Sequence, residues 1–524
     1  MRRLLSCLGL LWAASAAHAD VRLHPLFADH AVLQRDRDIK VFGWADSGEK
    51  VTVSLGSSMV STTTPASGKW QLSLPKRSAS TTPTSLVVQG KNRIERTDIL
   101  IGDVWLCSGQ SNMEWGLGGC DDPDAIRLSA NPLIRHFGVE MLFARDPQET
   151  LKGSWNVASP TTSAGFTAVG YYFARKVTKE TGVPIGLLRS SVGGTNIECW
   201  MRQETLLETP ALKPFADRMR TSLAQYQVDL RAWHKAVDAW VKAEYKRVAA
   251  GADVSFPPEQ PKFPFGEQAF NPRCVTLHNG MIAPLGNFQV AGVLWYQGEN
   301  NAGNAFDGNQ YIEKQRAMIA DWRTWFGTPN MPFYSVQLAG WQAQSKDPAG
   351  GDGWSEFRDA QRRALAIPFT GMASAVDIGD IDDIHPKNKL DVGERMALWA
   401  LRDVYGRKDT VVSGPLLKGV QSGKPGTLVV AFDYIGGGLT AGRMAGRGKF
   451  EATPNIPVGG FVIAGDDKVW HRATAALDGD RIVLSAPGVD APKFVRYGYR
   501  MNPLDANLYN KAGLPASPFR TDPQ

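Results

Sequence analysis

The stretch Ile99-Leu100-Ile101-Gly102-Asp103-Val104-Trp105-Leu106, running into Cys107-Ser108-Gly109-Gln110-Ser111-Asn112-Met113, decides the fold. A short, mostly apolar run that ends in a polar, glycine-containing turn has the length of a strand buried on both faces, as in a parallel sheet covered by helices. The same texture returns at 185–190, 290–296, 333–338 and 372–376. Between these runs, residues 166–180, 311–326, 355–366 and 392–404 carry helical periodicity. Strands alternating with helices predict an α/β sandwich around a mostly parallel sheet.

Working outward, residues 20–98 read as short alternating strands separated by Gly, Pro, Ser and Asp clusters, for instance Val51-Thr52-Val53-Ser54-Leu55. They predict a small N-terminal β-sandwich. From 407 to 524 short strands return and predict a C-terminal β domain, which leaves 99–406 as the α/β domain. Inside it, Phe215, Met219, Tyr226, Trp233, Val237 and Trp240 recur at steps of three, four and seven. That stripe predicts one amphipathic helix or a helical hairpin within an insertion at about 205–272, with a Pro-rich loop closing it.

Residues 1–19 show Arg2 and Arg3, then an apolar run, then Ala17-His18-Ala19. This is the pattern of a secretory signal peptide, and it predicts export to the periplasm or the medium. No later run is apolar enough to span a bilayer. The formal charge of +6 is spread without a basic run, so a nucleic-acid partner has no footprint. Cys107, Cys120, Cys199 and Cys274 remain beyond the leader, an even number suited to bridges in an oxidising compartment, and Cys107 with Cys120 is the preferred pair. Eight histidines without H-x-H or H-E-x-x-H argue against a metal site.

In an open α/β sheet, chemistry sits just beyond the carboxyl ends of the strands. Reading those positions yields Ser111, Gly193-Gly194, Gln297-Gly298-Glu299 and the segment Asp380 to His385. A serine hydroxyl needs a base, and a histidine oriented by a carboxylate is the usual one. Ser111 and His385 fit, with Asp382, three residues before the histidine, or Asp383 as orienter. The oxyanion of acyl transfer needs fixed donors, for which the Ser111 N–H, the Gly194 N–H and the Gln297 amide are candidates. Two other readings compete. Glu299 with Glu114 could be the paired carboxylates of a glycoside hydrolase, and Trp200, Trp341 and Trp354 could stack on sugars in a non-catalytic binding protein. The G-x-S-x-G elbow of α/β-hydrolases does not occur in the chain.

The blocks Ser108-Gly109-Gln110-Ser111-Asn112-Met113, Gly193-Gly194-Thr195, Trp295-Tyr296-Gln297-Gly298-Glu299 and Asp383-Ile384-His385-Pro386 resemble, in content and order, the sialate O-acetylesterase branch of the SGNH (GDSL-like) hydrolase superfamily. The resemblance runs from about residue 98 to 405, with a further likeness at 497–510. It implies a flavodoxin-like, three-layer α/β/α core, a Ser–His–Asp triad or Ser–His dyad, no metal or other cofactor, and release of acetate from O-acetylated sugars. The expected partner is an acetylated oligosaccharide or polysaccharide, either sialic acid-containing or a plant polymer such as xyloglucan or xylan. Ser111 is then nucleophile, His385 base, and Ser111, Gly194 and Gln297 the oxyanion hole, while Trp200, Glu299 and Trp341 are candidates for contacting the sugar.

Overall fold

The strand that runs from Arg93 to Gly109 belongs to two sheets at once. Its first half pairs with Ser80–Gln89, and its second half is the centre of the large sheet. Asp98, at the junction, adopts a left-handed φ of 56° and accepts both Arg135 and His30. The chain is seen here in a computed structural model that describes residues 20–264, 274–302 and 308–523. The predicted leader, and the end of the predicted Pro-rich loop, lie outside the described residues.

Flanking the second half of that strand are Ile185–Ser191 on one side and Gly292–Tyr296 on the other, followed outward by Phe333–Gln337 and Thr370–Ser374, all parallel. Numbering these five along the chain, the spatial order is 2-1-3-4-5, the flavodoxin-like arrangement. Two further strands extend the first edge. Asn131–Gly138 is parallel to Ile185–Ser191, and Trp155–Ala158 is antiparallel beyond it. The periodicity did not reveal the first, because Pro132, Arg135 and His136 interrupt its apolar pattern, nor the second, which has only four residues; the Asp98 carboxylate neutralises the buried Arg135.

Helices cover both faces. On one, Ala168–Thr181 packs against Lys389–Asp403, with Trp105, Phe173, Tyr334 and Trp399 between helices and sheet. On the other, Gly308–Trp325 packs against Gly353–Arg363, and Trp322 meets Trp295 and Phe333. The fold class is therefore the expected one, a three-layer α/β/α core with β units at each end.

The N-terminal strands form a three-stranded sheet of Arg22–Leu23, Ile39–Trp44 and Lys69–Leu74, packed beside Lys50–Leu55, Ser58–Thr63 and Ser80–Gln89. Their apolar side chains merge with the α/β core into one continuous cluster. The C-terminal strands, from Leu416–Ser422 to Phe519–Arg520, enclose a separate cluster around Val430, Ile463, Val495 and Phe519. Arg358 joins the two bodies. Fully buried, it donates to the carbonyls of Leu338 at 2.7 Å, Arg500 at 2.9 Å and Met501 at 2.8 Å, and also to Ala339.

The amphipathic stripe is a single helix, Lys213–Ala249, of 37 residues. Phe215, Met219 and Tyr226 are buried. Farther along, the segment after the helix folds back on it: Trp233 donates to the Pro258 carbonyl at 3.0 Å and Trp240 to the Ser255 hydroxyl at 2.9 Å.

The preferred disulfide does not form, and the four cysteines are buried thiols. Strand alternation points Cys107 into the layer of the Ala168–Thr181 helix, where a Cβ on Gly170 would lie 2.9 Å from its sulfur. The Cys120 thiol donates instead to the Gly116 carbonyl. Burial pushes the Cys120 thiol up to about 11, and that of Cys107 higher still.

Candidate active site

Ser111 stands at the switch point of the sheet, where the chain leaves the central strand with neighbours on both sides. Gly109 makes the exit possible. Its φ is 130°, and a Cβ there would sit 2.1 Å from the Tyr296 carbonyl of the next strand. Ser111 then opens the short helix Ser111–Glu114, so its own N–H has no intrahelical acceptor.

The loop after Thr370–Ser374 brings His385 across 274 positions of sequence. His385 Nε2 lies 2.9 Å from Ser111 Oγ, and Nδ1 lies 3.1 Å from Asp383 Oδ1. The same Asp383 oxygen accepts the His385 backbone N–H at 2.8 Å, which closes a tight turn that presents the ring. Trp115 stacks on the imidazole at 5.1 Å and 20°. Partial burial pushes the Asp383 carboxyl up, but bonds from the His385 backbone and ring, aided by Lys387, outweigh it and hold the group below the usual carboxylate range. Of the two aspartates read from the sequence, the structure brings Asp383 to the histidine. Asp382 is exposed, and its N–H caps onto Asp380 Oδ1.

Opposite, Gly193-Gly194 form the turn after Ile185–Ser191. Gly194 is exposed with φ at 66°, a left-handed conformation that favours glycine. A Cβ on Gly193 would approach Ser111 Cβ to 3.2 Å and press on the serine, whereas one on Gly194 would meet open space. The Gly193 N–H donates to Glu114 Oε2 at 2.7 Å.

Several expected site residues are placed elsewhere. Gln297 is fully buried; Tyr311 donates to its Oε1 at 2.9 Å, so its amide nitrogen faces Asn301 Oδ1 at 2.6 Å, the Thr195 carbonyl at 3.1 Å and Gln110 Oε1 at 3.2 Å. Those acceptors use both its protons, which leaves none for an oxyanion. Glu299 is buried and accepts from Asn112 Nδ2; desolvation raises its carboxyl above the usual range. It neither reaches a sugar nor pairs with Glu114 across a cleft. Trp200 is fully buried edge-on to Trp295 and donates to Thr195 Oγ1 at 3.2 Å. Trp354 is buried and donates to the Ala339 carbonyl. Trp341 alone of the three tryptophans keeps partial exposure, and it bridges to Asp380 at the base of the histidine loop.

Sequence reasoning passed over Gln110, Trp115 and Lys389. Gln110 Oε1 accepts from the Gly298 and Asn300 N–H groups, both at 3.3 Å, and so ties the serine turn to the next loop. Its place between Gly109 and Ser111 was the available signal. Among the described residues no group of three His, Cys, Asp or Glu side chains converges as a cation cradle.

A family model described as carbohydrate esterase, sialic acid-specific acetylesterase, matches residues 101–237 and 270–402. The chain belongs to this carbohydrate esterase family. Among solved structures, a carbohydrate acetylesterase from Xanthomonas citri is 36% identical, with a TM-score of 0.78 over 96% of this chain and 100% of that one. The chain is also 30% identical to the sialate O-acetylesterase of Mus musculus over 62% of its own length and 60% of the relative's. To that of Homo sapiens it is 27% identical over 78% and 75%. The match thus spans less than two thirds of the mouse protein. The family match covers the strands and loops that carry Ser111, Gly194 and His385.

Proposed function

We propose that this carbohydrate esterase removes O-acetyl groups from glycans by acyl transfer through Ser111. The observation that carries the reading is the continuous contact from Asp383 through both nitrogens of His385 to the Ser111 hydroxyl. Asp383 accepts the Nδ1 proton, which leaves the Nε2 lone pair to take the serine proton. Ser111 Oγ attacks the acetyl carbonyl; His385 then passes that proton to the departing sugar hydroxyl. Water repeats the cycle on the acetyl-enzyme, with His385 again as base, and frees acetate and Ser111. The tetrahedral oxygen is held by the Ser111 and Gly194 N–H groups. With Gln297 committed inward, this oxyanion hole is built from backbone.

The glycosidase reading loses support because Glu299 is inside the protein. Trp341, beside the histidine loop, is a partly exposed aromatic surface on which a sugar ring would stack. The substrate class is acetylated oligosaccharide or polysaccharide, and residues 1–19 support action outside the cytoplasm. Acetate release from p-nitrophenyl acetate and from acetylated xylan, xyloglucan and sialosides, with and without EDTA, tests the reading. Release that resists EDTA and disappears in Ser111→Ala is expected; release unchanged by that substitution overturns it.

A further inference from the structure

Behind the catalytic pair lies a charged side chain that the reaction scheme does not use. Lys389, the first residue of the helix Lys389–Asp403, is fully buried, and its ammonium donates to Asn112 Oδ1. Asn112 follows the nucleophile directly. Its Nδ2 donates to Glu299 Oε1 and, at 3.2 Å, to the carbonyl of Ile384, the residue before His385. One amide therefore ties the residue after Ser111 to the residue before His385.

An asparagine amide can be turned over in such a site, which exchanges donor for acceptor. An ammonium only donates, so Lys389 fixes which end carries the oxygen. Nδ2 must then face Glu299 and Ile384. Turned over, the amide would set its oxygen against the Ile384 carbonyl and push the histidine loop away. The ammonium also lies 5.8 Å from the centre of the Trp115 ring, which stacks on His385, and 5.4 Å from that of Tyr296.

We propose that Lys389 is a positioning residue: by orienting the Asn112 amide it holds the Ile384–His385 loop in register with Ser111. The inference rests on the serine esterase reading. The titratable groups around Lys389 are Glu299, Asp383 and the Cys120 thiol. Burial dominates and pushes its ammonium down to about 8, against the opposing pull of those three groups. The grip on Asn112 therefore weakens at mildly alkaline pH.

The test compares kcat and KM for p-nitrophenyl acetate from pH 6 to 9.5 in wild type, Lys389→Met, Lys389→Arg and the double variant Lys389→Met/Glu299→Gln. Lys389→Met is expected to lose on the order of tenfold to a hundredfold in kcat, as for other small misplacements of catalytic groups, with KM little changed. Wild-type kcat is expected to fall above about pH 8. Lys389→Arg, which stays charged, restores much of kcat and carries its alkaline limb to higher pH. The double variant removes the unpaired buried carboxylate, so it regains the thermal midpoint without regaining kcat. Full kcat in Lys389→Met, or kcat recovered with stability in the double variant, overturns the positioning role. Ser111→Ala separates the two claims, because retained turnover there defeats the serine mechanism itself.

Discussion

Glu114 Oε2 accepts the backbone N–H of Gly193 at 2.7 Å, which ties the third residue after Ser111 to the turn that carries Gly194. The next peptide in that turn bears the Gly194 N–H. Its direction depends on how firmly the preceding amide is held, and Arg189, 3.7 Å from the carboxylate, keeps Glu114 in place. Glu114→Ala should therefore lower kcat for p-nitrophenyl acetate by about tenfold or more, less than the outright loss of one oxyanion donor. Glu114→Gln retains an acceptor and should recover most of it. Unchanged kcat in the alanine variant would show that the turn holds itself.

Asp383 and Asp382 are adjacent in sequence but only one meets the imidazole. Asp383→Ala should lower kcat by roughly a hundredfold to ten-thousandfold, the range for losing a triad carboxylate. Asp382→Ala should stay within about twofold of wild type, as usual for an exposed side chain without a special contact. Equal activity in both variants would mean a working Ser–His dyad.

Arg358 joins the α/β core to the 500–501 segment through the carbonyls of Leu338, Arg500 and Met501. Burial lowers its guanidinium to about 9. Arg358→Ala should cost about 3 kcal/mol, since the buried Leu338 and Arg500 carbonyls lose this donor together. Differential scanning calorimetry should show the C-terminal β domain melting apart from the core. A single transition at the wild-type midpoint would rule this out.

Three histidines away from the site are buried and neutral. Burial lowers His136 to about 3, and His24 and His278 to about 4. His136 Nε2 accepts the Thr167 N–H at 3.3 Å, which requires the unprotonated nitrogen. An unfolded histidine takes up its proton near pH 6.5. The unfolded state then binds more protons than the native state, so stability falls as pH drops from about 6.5 toward about 4. The slope is about 1.4 kcal/mol per pH unit for each histidine. Urea midpoints measured from pH 7 to 5 should decline accordingly; flat midpoints would show that these rings protonate within the native fold.

Much of the architecture was legible because buried parallel strands and the helices covering them leave long, regular apolar patterns. The runs at 185–190 and 333–338 match the strands Ile185–Ser191 and Phe333–Gln337 closely. The strand Asn131–Gly138 escaped because Arg135 is acceptable inside only through Asp98, a partner 37 positions away. The seam at residue 98 read as a boundary, yet one strand and one core cross it. A composition change marks where the sheet changes partners, and nothing in it requires the chain to break there.

The sequence by itself determined the order of the five central parallel strands and the helices that cover them, and with it the few positions that fall beyond strand ends, because apolar period and turn residues are local properties. It singled out Ser111, His385 and two adjacent aspartates as candidates for the same reason. Only the tertiary structure decided which aspartate meets the ring, that Gln297, Glu299 and Trp200 point inward, and that Cys107 and Cys120 remain apart. Those outcomes depend on which face of an element meets which neighbour, and on hydrogen-bond partners supplied from as far as 274 positions along the chain.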